Sequence, residues 1–335
     1  MHLVFFAVLG VAFTLAIGAL GQSAPTTVGF QYAKVADQDG VPLDLTIWYP
    51  STAEPTAHRL GPFRQMVALN GAVVGQKLPL IVMSHGSGGA PWNHYDTALA
   101  LAAAGFVVVA PTHPGDNHTN RSRAAMLLDR PEHVILAVDF MVSLWPASQL
   151  IDDHRIGFFG FSVGAFTGLV VTGAAPDFRR LVSHCKAHPL EFGCVIVKPV
   201  LSDKRLMDLP PTRQWRDERI KAAVLAVPAL GFTFTPDRLA TVKVPVQLWR
   251  AEKDDVAPHP WHADMIRQAL PTPPDYRVIA DAGHFDFIAP CTPQASAAAA
   301  FLCQETPGFD RATFHEQFNG EVVAFFTREL KAGAR

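Results

Sequence analysis

The chain has 335 residues, 49% of them hydrophobic and 17% charged, with a formal net charge of -2. That composition excludes a disordered chain, and the absence of a long basic run gives no footing for a nucleic-acid partner or an anionic membrane surface. The length suits one α/β domain with an inserted segment better than two small domains.

Residues 1–21 carry no Lys, Arg, Asp or Glu, and Leu3 to Leu20 is nearly all apolar. This is a targeting segment, either a signal peptide cut before Gln22 or an uncleaved N-terminal anchor, with His2 standing where basic residues are usual. The expected location is secreted or periplasmic, with the folded domain spanning 22–335. Gly29 to Val35 and Leu43 to Tyr49 alternate as strands do, around the turn Asp37-Gln38-Asp39-Gly40, and predict an antiparallel hairpin followed by a loop rich in Pro, Gly and Thr. From Leu78 the texture changes to short apolar runs, Leu78 to Met83, Gly105 to Ala110, Arg155 to Phe161, Ala222 to Val227, Val244 to Arg250 and Tyr276 to Ala280, the pattern of buried parallel strands. Helices are expected at Tyr95 to Ala104, from about Pro131 to Leu144, at Ala165 to Thr172 and at Phe314 to Leu330. The sum is an α/β fold, a doubly wound, mostly parallel sheet of about eight strands. Residues 176–218 break the alternation and are expected to form a cap over the carboxyl edge of the sheet.

The four cysteines, Cys185, Cys194, Cys291 and Cys303, fall in two locally spaced pairs. In an exported protein they read as two short-loop disulfides, although three connectivities are open. A zinc set of His184, Cys185, His188 and Cys194 is the alternative; its spacing is not that of a standard finger. No metal and no cofactor are expected.

Gly160-Phe161-Ser162-Val163-Gly164 follows an apolar run and precedes a helix-like stretch. A nucleophile on a sharp strand-to-helix turn leaves no room for side chains two residues away on either side, hence the glycines. A serine hydroxyl is a poor nucleophile, so Ser162 needs a base to take its proton and a carboxylate to orient that base. In folds with this turn the partners follow in the order Ser, acid, His. The acid is expected in the loop Ala251 to Pro258, with Asp254 preferred to Asp255 because Asp, any residue and an aliphatic residue, with Pro shortly after, is the usual arrangement. The base is His284, within Asp281-Ala282-Gly283-His284-Phe285 after the last strand. Backbone N–H donors for a developing oxyanion would come from Val163 and from Ser84-His85-Gly86-Ser87-Gly88-Gly89, most simply at Ser87. A phosphate loop is a poorer reading of these glycines, since the lysine is missing. Trp92, His94 and His113 stand near the loops expected to rim the site; packing and capping explain them equally well as a substrate wall. Asn117-His118-Thr119 and Asn120-Arg121-Ser122 match glycosylation sequons.

With these motifs in order, and Pro111-Thr112-His113-Pro114-Gly115 between them, the chain from about Gly29 to Leu330 resembles the predicted dienelactone hydrolases, relatives of the platelet-activating-factor acetylhydrolases. The resemblance implies an α/β-hydrolase fold and a serine esterase with the triad Ser162, Asp254 and His284, an oxyanion hole at Ser87 and Val163, no metal, and a small-molecule ester as substrate. True dienelactone hydrolases use a cysteine nucleophile, and none of the four cysteines here lies at the turn. The Asp-Asp-Val-Ala-Pro and Gly-His-Phe elements are also similar to those of polyester-degrading cutinases. Acyl transfer or amide cleavage on the same triad, and a non-catalytic binding role on the same scaffold, are the competing functions.

Overall fold

The structure, a computed structural model, describes residues 27–36, 40–202, 215–298, 300 and 302–331. The targeting segment, most of the turn Asp37 to Gly40 and part of the expected cap lie outside the described residues. Strands β1 (Thr27–Ala36) and β2 (Pro42–Ser51) pair antiparallel as the alternation predicts. Where the sequence predicts only a loop, β3 (Thr56–Leu60) and β4 (Phe63–Leu69) form a second hairpin. Pro55, Gly61 and Pro62 mask it, yet Gly61 supplies the positive φ of the connecting turn, and Phe63, Gln65 and Val67 are buried while Arg64 and Met66 face outward.

The remaining strands are β5 (Leu78–Ser84), β6 (Val107–Thr112), β7 (Ile151–Phe161), β8 (Ile220–Ala226), β9 (Val246–Ala251) and β10 (Asp275–Ile279). They pair in parallel in the order β10-β9-β8-β7-β5-β6, and the hairpins extend the β6 edge to give ten strands, against the expected count of about eight. Alternate side chains leave opposite faces of the sheet. Leu80, Val82, Ile156 and Phe158 pack with Val134 of helix α2 (Asp129–Asp139) and Phe166 and Leu169 of α3 (Val163–Val171). Ile81, Met83, Phe159 and Val224 pack on the other side with Leu101 of α1 (Tyr95–Ala103) and with Phe318, Val322 and Phe326 of the long helix Arg311–Leu330. Gly105, at φ 87°, ends α1, so β6 starts two residues later than the apolar run suggests. Asp310 caps the last helix by accepting from the Thr313 N–H at 3.0 Å, which moves its start three residues ahead of the predicted Phe314.

The chain goes from β5 to β6 on one side and then crosses to β7 on the other side of β5. The carboxyl ends of β5 and β7 therefore meet at a switch point, the place where an open sheet of this kind binds ligands. Residues 176–218 contribute helices α4 (Arg179–Ala187) and α5 (Phe192–Val197), joined by the Cys185–Cys194 disulfide; the second disulfide is Cys291–Cys303. Both local pairs are thus formed, and the zinc set loses its two thiolates. Among the described residues no helix is long and apolar enough to cross a membrane.

Candidate active site

Ser162 leaves β7 at φ 56° and ψ −118° and is the residue before the first turn of α3. A non-glycine residue at positive φ costs about 1–3 kcal/mol and persists only where its surroundings hold it. Here the Ser162 N–H donates to the Ala226 carbonyl at the end of β8 (2.9 Å), and its carbonyl accepts from Ala165, Phe166 and Ala229. The flanking glycines are dictated by space: a Cβ on Gly160 would collide with the Gly164 carbonyl, and one on Gly164 with the Ser84 carbonyl.

His284 follows β10 and opens a short 3-10 turn, His284–Phe287. Its Nδ1 donates to Asp254, 2.8 Å from Oδ2 and 3.0 Å from Oδ1, and both side chains are almost wholly buried. Asp254 Oδ1 also accepts from the N–H groups of Val256 (3.0 Å) and Ala257 (2.7 Å). Burial alone would raise the Asp254 pKa; His284 and these two donors outweigh it and hold the carboxyl below its ordinary value. Asp255 is exposed. The His284 loop is fixed from behind by Asp286, which accepts from the Gly283 N–H (2.8 Å) and from the buried Arg311 guanidinium (3.1 Å). Ser162 and His284 line one cavity. No hydrogen bond joins the two side chains among the described residues.

The loop after β5 is held by a buried ion pair. Arg130, 2% exposed, donates from Nε to Asp116 Oδ2 (2.9 Å), from Nη1 to the His85 carbonyl (2.7 Å) and from Nη2 to the Gly86 carbonyl (3.0 Å). Asp116 Oδ1 in turn accepts from Ser87 Oγ and the Gly88 N–H, both at 2.8 Å. Because C=O and N–H of a trans peptide point in opposite directions, anchoring the Gly86 carbonyl on Arg130 directs the Ser87 N–H away from that network. Arg130→Met is expected to lower stability by about 3–5 kcal/mol, because it strands the Asp116 charge in the interior. Urea unfolding measures this, and a loss under 1 kcal/mol would mean that the pair is dispensable.

The structure places Trp92, His94 and His113 outside the Ser162 cavity. Trp92 covers Gly61 and packs edge-on to His118 at 4.2 Å, lining a different cleft. His94 is buried against Phe159 and Phe161, and burial lowers its pKa to about 3. His113 lies beneath the β5 loop, 2.8 Å from Ser84 Oγ, its pKa driven well down by burial and by Arg130. His85, in the same layer, is likewise lowered to about 3 by burial and by Arg130. Trp92, His94, His113 and His85 all belong to the packing around the site. Asn117 is also buried, its Nδ2 donating to the His113 carbonyl at 2.8 Å, so the first sequon offers no accessible amide.

The cavity has a volume of about 230 Å³ and is walled mainly by Phe161, Phe192, Val256, Phe285, Ile288 and Leu302, with Asn93, Arg121 and the Gly86 to Gly89 loop completing it. The sequence does not single out Phe192, Arg121 or Leu302 for this wall. A signal was present in the cysteines: Phe192 lies two residues before Cys194 and Leu302 immediately before Cys303. Each disulfide therefore secures a segment that carries an apolar wall residue.

A parallel sheet with a serine at this turn, followed in the chain by a paired carboxylate and histidine at the same edge, has the α/β-hydrolase fold. Comparison with solved structures shows the same fold. The chain is similar to a ferulic acid esterase from Streptomyces cinnamoneus, with a TM-score of 0.61, 17% identity, and coverage of 91% of this chain and 90% of that one. It is also similar to an acylaminoacyl peptidase from Pyrococcus horikoshii, with a TM-score of 0.52, 13% identity and 91% of this chain covered, and to a putative dipeptidyl aminopeptidase IV from Bacteroides ovatus, with a TM-score of 0.50, 14% identity and 92% of this chain covered. The chain spans 42% and 37% of the lengths of those two chains. No family model matches the chain, and no curated protein matches it in sequence.

Proposed function

We propose that the protein is a serine hydrolase that cleaves carboxylic esters through an acyl-enzyme on Ser162, within the group of predicted dienelactone hydrolases that its motifs resemble. The observation that carries this reading is the buried His284–Asp254 pair facing the cavity into which the strained turn lifts Ser162. Asp254 holds the His284 Nδ1–H, leaving Nε2 unprotonated to take the proton from Ser162 Oγ as it attacks the ester carbonyl. The N–H groups of Val163 and Ser87 stabilise the resulting oxyanion, the second oriented by Arg130 and Asp116. His284 then protonates the departing alcohol, and in the second half activates a water that releases the acid.

A cavity of about 230 Å³ with three phenylalanine walls fits a short or flat apolar acyl group. Within the proposal, residues 176–218 act as a cap, since α5 brings Phe192 into that wall, and residues 1–21 direct export to a compartment where the two disulfides persist. The neighbour matched over both chain lengths is named an esterase, which favours esters over amides.

A fluorophosphonate probe is expected to label Ser162 alone, mapped by mass spectrometry of the digested adduct. Turnover of p-nitrophenyl esters is expected to fall as the acyl chain lengthens. Labelling elsewhere, or no labelling, would remove the catalytic assignment, and faster cleavage of the matched anilide would move it to amides.

A further inference from the structure

Away from the catalytic cavity, three buried donors converge from separate elements. His184 comes from α4, Glu191 directly precedes α5, and His262 directly precedes the helix Ala263–Ala269. His184 Nε2 is 3.0 Å from Glu191 Oε2 and His262 Nε2 is 2.8 Å from Glu191 Oε1, with side-chain exposures of 8%, 5% and 1% for His184, Glu191 and His262. One ligand atom from each lies within 4.8 Å of the other two. We propose that His184, Glu191 and His262 bind a divalent transition-metal ion, Zn²⁺ by preference, that ties the 176–218 segment to the body of the domain.

Two imidazoles and one carboxylate are a donor set that suits zinc, whereas calcium and magnesium require oxygen ligands throughout. Tetrahedral bonds of about 2.0–2.2 Å would hold ligand atoms roughly 3.3 Å apart, so the contacts of 3.0 and 2.8 Å to the two Glu191 oxygens must open to admit an ion. His262 Nδ1 is buried without a partner in either tautomer. Phe232 stacks on His184 at 3.6 Å and fixes its ring. A surface cavity of about 280 Å³ beside His184 gives the ion a path inward, and a water can take the fourth position. Of the four residues in the alternative zinc set, His184 thus stays in play, while Cys185 and Cys194 are joined to each other.

The consequence reaches the catalytic cavity through one peptide bond, because Glu191 precedes the wall residue Phe192. The test uses chelator-treated protein titrated with Zn²⁺ by calorimetry, and with Co²⁺ by its visible absorption. One equivalent is expected to bind, to raise the melting temperature, and to give the intense bands of a tetrahedral Co²⁺ site. Glu191→Gln, which keeps the shape but removes the charge and one of the two acceptor oxygens, and His262→Asn are each expected to weaken binding more than about tenfold. Ser162→Ala should bind the ion as the parent does, which separates this result from the catalytic reading. Absence of stoichiometric binding, or binding that survives both Glu191→Gln and His262→Asn, would overturn the proposal.

Discussion

Ser162→Ala is expected to lower kcat for a short p-nitrophenyl ester by about a millionfold, the loss seen when the nucleophile of a serine hydrolase is removed. The residual rate would reflect the oxyanion donors and substrate positioning, which act without the hydroxyl. The substitution should leave the fold intact. Alanine keeps the Cβ that already sits at φ 56°, and every hydrogen bond at this position is made by the backbone, so a stability change within about 0.5 kcal/mol is expected. Steady-state kinetics combined with a thermal melt separate the two effects. A variant that melts as the parent does and retains more than a few percent of its activity would show that Ser162 is not the nucleophile.

Asp254→Asn should cost about 10⁴ in kcat, and the geometry explains why so small a change matters. Oδ1 accepts from the Val256 and Ala257 N–H groups, while Oδ2 is the oxygen closer to His284 Nδ1. The asparagine carbonyl must stay on the two backbone donors, because turning the amide would set N–H against N–H. Its NH₂ group then faces His284 Nδ1 and forces the ring into the tautomer protonated at Nε2, which cannot accept the serine proton. Asp255→Asn, on an exposed side chain, should change kcat less than about twofold. Kinetics of the two variants side by side decide the assignment, and the reverse ranking would move the acid by one residue.

The parallel half of the fold was legible because its strands are buried on both faces and appear as uninterrupted apolar runs. The elbow was legible because two glycines are required by contacts within a few residues of Ser162. The second hairpin was not, since Gly61 and Pro62 at its turn look like loop, and exposed Met66 breaks the apolar-polar alternation of β4. Asp254 and His284, the proposed acid and base, could be paired from chain order after particular strands, which is local information. The walls of the cavity could not. Phe192 and Leu302 arrive there through disulfides, and Leu302 also through Arg311, which donates to its carbonyl at 3.0 Å; these constraints couple residues far from Ser162 in the chain. Trp92, His94 and His113 show the converse: each lies close to a site loop in sequence, but proximity along the chain does not set which side of the loop a side chain faces.

The two proposed oxyanion donors belong to different elements, Ser87 to the loop after β5 and Val163 to the start of α3. Their separation is set where Gly164 meets the Ser84 carbonyl so closely that no Cβ fits between them. That junction is held by steric exclusion between two backbones. The orientation of the Ser87 N–H depends instead on the Arg130–Asp116 ion pair through the Gly86 carbonyl, so the two proposed donors are held by different forces, one by close contact and the other by charge.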